Sequence, residues 1–216
     1  MNTAPVSRRT PMPAHSRGFS LVELMITIMV VAILTAIAWP NFRDFMHRSA
    51  VTAQANQVLA SLQYARNEAV GRGYPSAVCA SASTDKTPPA CDGGNAFAGG
   101  WMVWRDSSLT GTPAYAASSG TGGDELLRVT QPQTGVSIFS FGGSGSANLF
   151  AFDQRGALID SGGASSAIVV CAKNKPEDSV GVSTERAPGK YVRIDASGRI
   201  TVQNLATTDT CNAPPG

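Results

Sequence analysis

FSLVELMITIMVVAILTAIAW, residues 19–39, is the stretch that decides how this chain is built. It is apolar except for Ser20, Glu23, Thr27 and Thr35. As a helix its 21 residues cover roughly 30 Å, the thickness of the hydrocarbon core of a bilayer. Arg8, Arg9 and Arg17 all precede it. The excess of positive charge on that side predicts a cytoplasmic N-terminus and places everything after the span outside.

Glu23 is the exception within the span. A carboxylate in hydrocarbon costs several kcal/mol unless it is paired, so an acid at this depth points to function. A cut between Gly18 and Phe19 would create an α-amino group, and that cation could pair with Glu23 of a neighbouring subunit. Both charges would then be neutralised only on correct assembly, which makes Glu23 a device for setting register. An ordinary secretory signal peptide is the alternative, with Ala36-Ile37-Ala38 as its cleavage site. The charge inside the apolar run and the long polar leader ending in Arg17-Gly18 argue against it.

The leader also changes the charge balance. The 216-residue chain carries a formal charge of +2, from 17 Lys and Arg against 15 Asp and Glu. Three of those arginines precede Gly18; without them 14 basic residues face 15 acidic ones, near −1. Overall charge therefore gives no argument for nucleic-acid binding, and such a role would need a local patch. The four cysteines, Cys79, Cys91, Cys171 and Cys211, all follow the apolar span and suit an oxidising compartment. Three pairings are open, the simplest joining sequence neighbours, 79 with 91 and 171 with 211. Zinc fits less well, since no two cysteines lie two to four residues apart and the chain has only two histidines.

Beyond Pro40, Val51, Ala55, Val58, Leu62, Ala65 and Ala69 recur at spacings of four and three, one apolar stripe of a helix ending near Gly71 or Gly73. An interior proline removes a backbone bond, so Pro40 is expected to kink this helix just past the membrane. From Tyr74 the pattern changes to short runs between Gly, Ser and Pro turns: 77–79, 101–104, 126–129, 136–141, 149–152, 167–171, 191–194 and 200–203. Eight such runs predict antiparallel sheets packed on the helix, with 81–98, 107–123 and 173–190 as loops. Trp101 and Trp104 are three positions apart in one strand and so point to opposite faces. One is expected in the core, the other exposed or beneath a loop.

Gly18-Phe19-Ser20-Leu21-Val22-Glu23 resembles the processing signal of type IV pilins and pseudopilins, and Pro40 stands at the twenty-second position of the cut chain, where many pilins carry a proline. The resemblance implies cleavage after Gly18 by a prepilin peptidase and N-methylation of Phe19. Further motifs resemble the GspH/FimT pseudopilins: Leu62-Gln63-Tyr64-Ala65-Arg66-Asn67-Glu68-Ala69-Val70 with Arg72-Gly73, Gly100-Trp101-Met102-Val103-Trp104-Arg105-Asp106, Phe152-Asp153-Gln154-Arg155-Gly156, Val169-Val170-Cys171 and Ser197-Gly198-Arg199. The implied fold is α+β, a long N-terminal transmembrane and amphipathic helix packed on an antiparallel two-sheet β domain. Its expected divisions are a leader at 1–18, the helix at 19–72 (19–39 transmembrane, 40–72 amphipathic) and a globular β domain at 74–216. Implied partners are prepilin peptidase, other pilins or pseudopilins and the inner membrane. The implied role is a minor subunit of a type IV pilus or type II secretion pseudopilus, priming assembly or located at its tip.

Catalytic chemistry is not expected. His15 lies in the leader and His47 just outside the membrane, which leaves the β domain without a histidine for a nucleophile–base pair. The run Gly142-Gly143-Ser144-Gly145-Ser146 lacks the Gly-Lys-Ser/Thr ending of a phosphate loop and reads as a flexible hairpin. Asp92, Asp106, Asp153 and Asp160 lack calcium-loop spacing, so no metal or cofactor is expected. The alternative function is DNA capture for transformation through Lys173, Lys175, Arg193 and Arg199, in a region that also holds Arg186 and Lys190. Some transformation-linked relatives use a Gly-Arg-x-Arg element; here Gly198-Arg199-Ile200-Thr201 lacks the second arginine, and Glu177, Asp178, Glu185 and Asp195 dilute the patch.

Overall fold

The computed structural model describes the chain except for residues 1–17, 82–83, 86–88, 92–93, 108–122, 132–133, 143–148, 160–165, 208, 215–216 and the side chain of Pro40. Arg8, Arg9, Arg17, His15, Asp92, Asp160 and positions 143–146 of the glycine-rich run therefore lie outside the described residues. The chain divides into two compact units, Met1–Asn41 and Phe42–Gly216.

One helix, α1, runs from Leu21 to Arg72 and continues through Pro40, which is therefore not a helix stop. Eight strands follow: β1 (Ser76–Ala80), β2 (Trp101–Arg105), β3 (Glu125–Thr130), β4 (Val136–Phe141), β5 (Leu149–Phe152), β6 (Ser166–Ala172), β7 (Lys190–Ile194) and β8 (Ile200–Asn204). They coincide with the eight runs read from the sequence, to within a residue or so at each end. They form two antiparallel sheets, ordered β3-β2-β1-β5 and β4-β6-β7-β8.

Within the second unit, the helical stripe fills the space between helix and sheets. Val51, Ala55, Leu62, Ala65 and Ala69 have no exposed surface, and Val58 is 2% exposed. They meet Val78, Val103, Phe150 and Phe152 of the first sheet and Ile138, Ile168, Val170, Val192 and Ile194 of the second. Small residues at 55, 65 and 69 let the helix backbone approach, while Leu62 and Val58 fill the wider gaps. The Trp101 indole N–H donates to Ser61 Oγ at 3.0 Å, so the one polar atom of this large core ring is satisfied by the helix it packs against.

The central strands lack polar alternation because both of their faces are covered. In β1 and β2, Val78, Ala80, Trp101 and Val103 face the main core. Ala77, Cys79, Met102 and Trp104 form a second buried cluster with Leu149 and Ala151. Trp101 and Trp104 do point opposite ways, and Trp104 is buried, packed with Leu126 and Val129 of the neighbouring β3 and with Cys91 and Ile159. On the second sheet, Val169 and Cys171 turn outward onto Leu205 and Cys211 of the C-terminal segment. Disulfides hold both coverings in place, Cys79 to Cys91 and Cys171 to Cys211.

Candidate functional site

The N-terminal end of α1 is built by Ser20 and Glu23. The Glu23 backbone N–H donates to Ser20 Oγ at 3.2 Å, and the Leu24 N–H donates to the Ser20 carbonyl at 3.1 Å. Ser20 is thus the N-cap and Glu23 the third helical residue, the arrangement of an S-x-x-E capping box. An acid in the first turn is also favoured by the partial positive charge of the helix N-terminus. This local role of Glu23 escaped the sequence reading, although the Ser20–Glu23 spacing carries the signal. The carboxylate expected to meet a neighbour's amine is the same one that favours the start of its own helix.

The rest of the span is apolar and, among the described residues, exposed. Its large apolar side chains, from Phe19 at 79% to Val30 at 50%, are all exposed. Its hydroxyls are satisfied internally: Thr27 donates to the Leu24 carbonyl, and Thr35 to those of Val31 and Ala32, each at 2.9 Å. Such a helix can sit in lipid, where each unpaired polar group costs several kcal/mol. By length and composition α1 can cross a membrane. Pro40 provides no N–H for the Ala36 carbonyl, and one position on the Asn41 side-chain amide reaches the Ile37 carbonyl at 3.4 Å.

Three of the motif segments meet at the other end of the helix. Arg66 Nε donates to the Gly156 carbonyl at 2.9 Å. Gly156 closes the turn after β5, where Asp153 Oδ1 accepts the N–H groups of Arg155 and Ala157 at 2.9 and 2.8 Å. Gly198 lies in the β7–β8 turn with φ +76°, and a Cβ there would stand 1.7 Å from the Gly156 carbonyl oxygen. Asp153 thus shapes a turn, and Asp106 is buried. Beside this junction Gln63, Arg66, Asn67, Ser197, Gly198, Arg199 and Ile200 line an open cleft of about 610 Å³.

The basic residues proposed for DNA are not gathered on one surface. Lys173 and Lys175 follow β6, and Lys190 starts β7 opposite Val170, all at one end of the second sheet. Arg199 follows the turn at the other end, beyond Ile194 opposite Ser166, roughly 13 Å away along the strand. Arg193 lies between them and pairs with Asp195 at 3.1 Å. Lys190 Nζ donates to Asn204 Oδ1 at 3.0 Å. Among the described residues, His47 is the only histidine, and no three His, Cys, Asp or Glu side chains are grouped to hold a metal ion.

Two family models match the chain: the type II transport protein GspH over residues 54–198, and the prokaryotic N-terminal methylation motif over residues 13–39. A fimbrial protein of Pseudomonas aeruginosa is 40% identical over 57 residues, 26% of this chain and 36% of its own length. The type IV major pilin protein PilA of Myxococcus xanthus is 52% identical over 44 residues, 20% of this chain and 19% of PilA. The chain thus spans about a third of the fimbrial protein and a fifth of PilA. Among solved structures, the type IV minor pilin FimU of P. aeruginosa aligns at TM-score 0.45 and 17% identity, over 76% of this chain and 93% of FimU. The minor pseudopilin EpsH of the Vibrio cholerae type 2 secretion system aligns at 0.37 and 14%, over 74% and 99%.

Proposed function

The chain belongs to the GspH family, and from that membership we propose that it is a minor pilin or pseudopilin that prepilin peptidase cuts between Gly18 and Phe19 and methylates at Phe19. The new N-terminus stays on the cytoplasmic side, residues 19–39 span the inner membrane, and the β domain stands in the periplasm. The subunit then leaves the lipid for a filament, where it primes assembly or sits at the tip of a type IV pilus or type II secretion pseudopilus. The observation that carries this reading is the uncovered apolar surface of the span, with one acid, Glu23, at its start. Lipid covers that surface before assembly and neighbouring helices cover it afterwards, with each Glu23 meeting the amine of an adjacent subunit.

The intact mass of protein extracted from membranes tests the processing step. A chain beginning at Phe19 and carrying one added methyl group is expected; a chain beginning at Trp39 would overturn the proposal and indicate secretory cleavage after Ala38. Comparing twitching, secretion and transformation in a deletion strain identifies the machine served. The separation of Lys173 and Lys175 from Arg199, and the engagement of Arg193 by Asp195, support the structural role over DNA capture.

A further inference from the structure

We infer that the membrane-proximal end of the β domain is an electrostatic contact surface for anionic lipid headgroups, a reading that rests on the membrane-inserted state proposed above. The loop between β6 and β7, residues 173–189, is tied to the helix just after the apolar span. Arg48 donates through Nε and Nη2 to the Arg186 carbonyl, the Nε bond being 3.0 Å. Arg186 in turn reaches Asp44 at 3.5 Å while keeping 74% of its own side chain exposed. Asp44 is only five residues past Trp39 on a continuous helix, a path of about 7.5 Å along the chain. A headgroup layer is roughly 5–8 Å thick. Measured along the chain, the Arg186–Asp44 pair therefore lies within about one headgroup thickness of the end of the span.

Other cations share that end of the unit. Lys173 and Lys175 open the loop and Lys190 closes it, while Arg43 and Arg48 stand exposed on the helix beneath. The opposite end is marked by Arg66, 18 positions further along α1, where it bonds Gly156 beside the β7–β8 turn. Against the six basic residues at this end of the unit stand four acids, Asp44, Glu177, Asp178 and Glu185. The excess of two is too small to capture a phosphodiester chain from solution, where affinity rises with the number of phosphates neutralised. It suffices for a surface the helix already holds against the bilayer, because tethering makes the encounter intramolecular and the patch needs no affinity of its own. Basic groups beside a membrane span are attracted to anionic lipid within about a Debye length.

The test uses the full-length chain in nanodiscs of phosphatidylcholine alone or mixed with phosphatidylglycerol, reading amide hydrogen exchange across 173–190. Several-fold slower exchange is expected in the anionic discs, with the difference lost at high salt and in a K173Q/K175Q/R186Q/K190Q variant. Equal exchange in the two lipids would overturn the inference while leaving the membrane-anchored reading intact. Protection that arises only when duplex DNA is added to the phosphatidylcholine discs would also overturn it and assign the surface to nucleic acid. Failure of the chain to enter either disc would remove the anchored reading and this inference together.

Discussion

Glu23 shows how one side chain can serve two steps. As the third residue of a helix capped by Ser20, its carboxylate is favoured by the N–H groups of its own first turn. Glu23→Gln keeps the shape and much of the capping but loses the charge. It is expected to leave membrane insertion intact and to reduce incorporation into filaments at least tenfold, measured as the sheared-filament fraction against the membrane fraction. Ser20→Ala removes the cap, at a cost of about 1 kcal/mol to the first turn, and should reduce incorporation far less. Two core positions give sharper stability tests. Ser61→Ala leaves the buried Trp101 N–H without its acceptor, at a cost of about 1–3 kcal/mol. Gly198→Ala forces a Cβ into the Gly156 carbonyl at a positive φ, and is expected to cost about 3 kcal/mol or more. Both are read as shifts in the denaturation midpoint of the detergent-solubilised chain. The S-x-x-E spacing carries the signal of the Ser20 cap, although the sequence reading missed it; the Gly198 constraint leaves no such signal, because the Gly156 carbonyl it faces comes from a turn 42 positions earlier in the chain.

Among the elements, the helix and strands were the most legible. The stripe from Val51 to Ala69 repeats at the helical period, and the eight short runs are bounded by turn residues, so neighbours along the chain carry both signals. Coverage of the strands' outer faces was less legible. Trp104 was expected to be exposed or beneath a loop, and it is buried because a segment carrying Cys91 is fastened across the first sheet. The C-terminal segment, fastened by Cys211, covers Val169 and Cys171 of the second sheet in the same way. The two disulfides close loops of 12 and 40 residues, so chain entropy assigns them about 3 and 4 kcal/mol. Cys171→Ser with Cys211→Ser is therefore expected to lower the thermal midpoint further than Cys79→Ser with Cys91→Ser. Thermal scans of the two double variants without reductant measure the difference, and the reverse order would mean that strain or residual unfolded structure dominates.

At the scale of the whole molecule, the chain combines a helix half suited to lipid with another half built into a two-sheet unit. If release from the leader triggers assembly, Gly18→Asp should leave the protein in the membrane fraction with its leader attached. Filament incorporation should then fall below detection, with intact mass reporting the uncut chain. Incorporation at the normal level would show that cleavage is dispensable. The sequence by itself determined the anchor, the amphipathic continuation, the strands and the family resemblance, because each is written in residues close together along the chain. The cysteine pairing, the two-sided burial of β1, β2 and β6, and the division of the basic residues between the two ends of one sheet were decided only by the tertiary structure. So was the meeting of Arg66 with Gly156, 90 positions apart. The reason is that local periodicity states which residues face inward, whereas strand order and the helix crossing determine what those faces and ends meet.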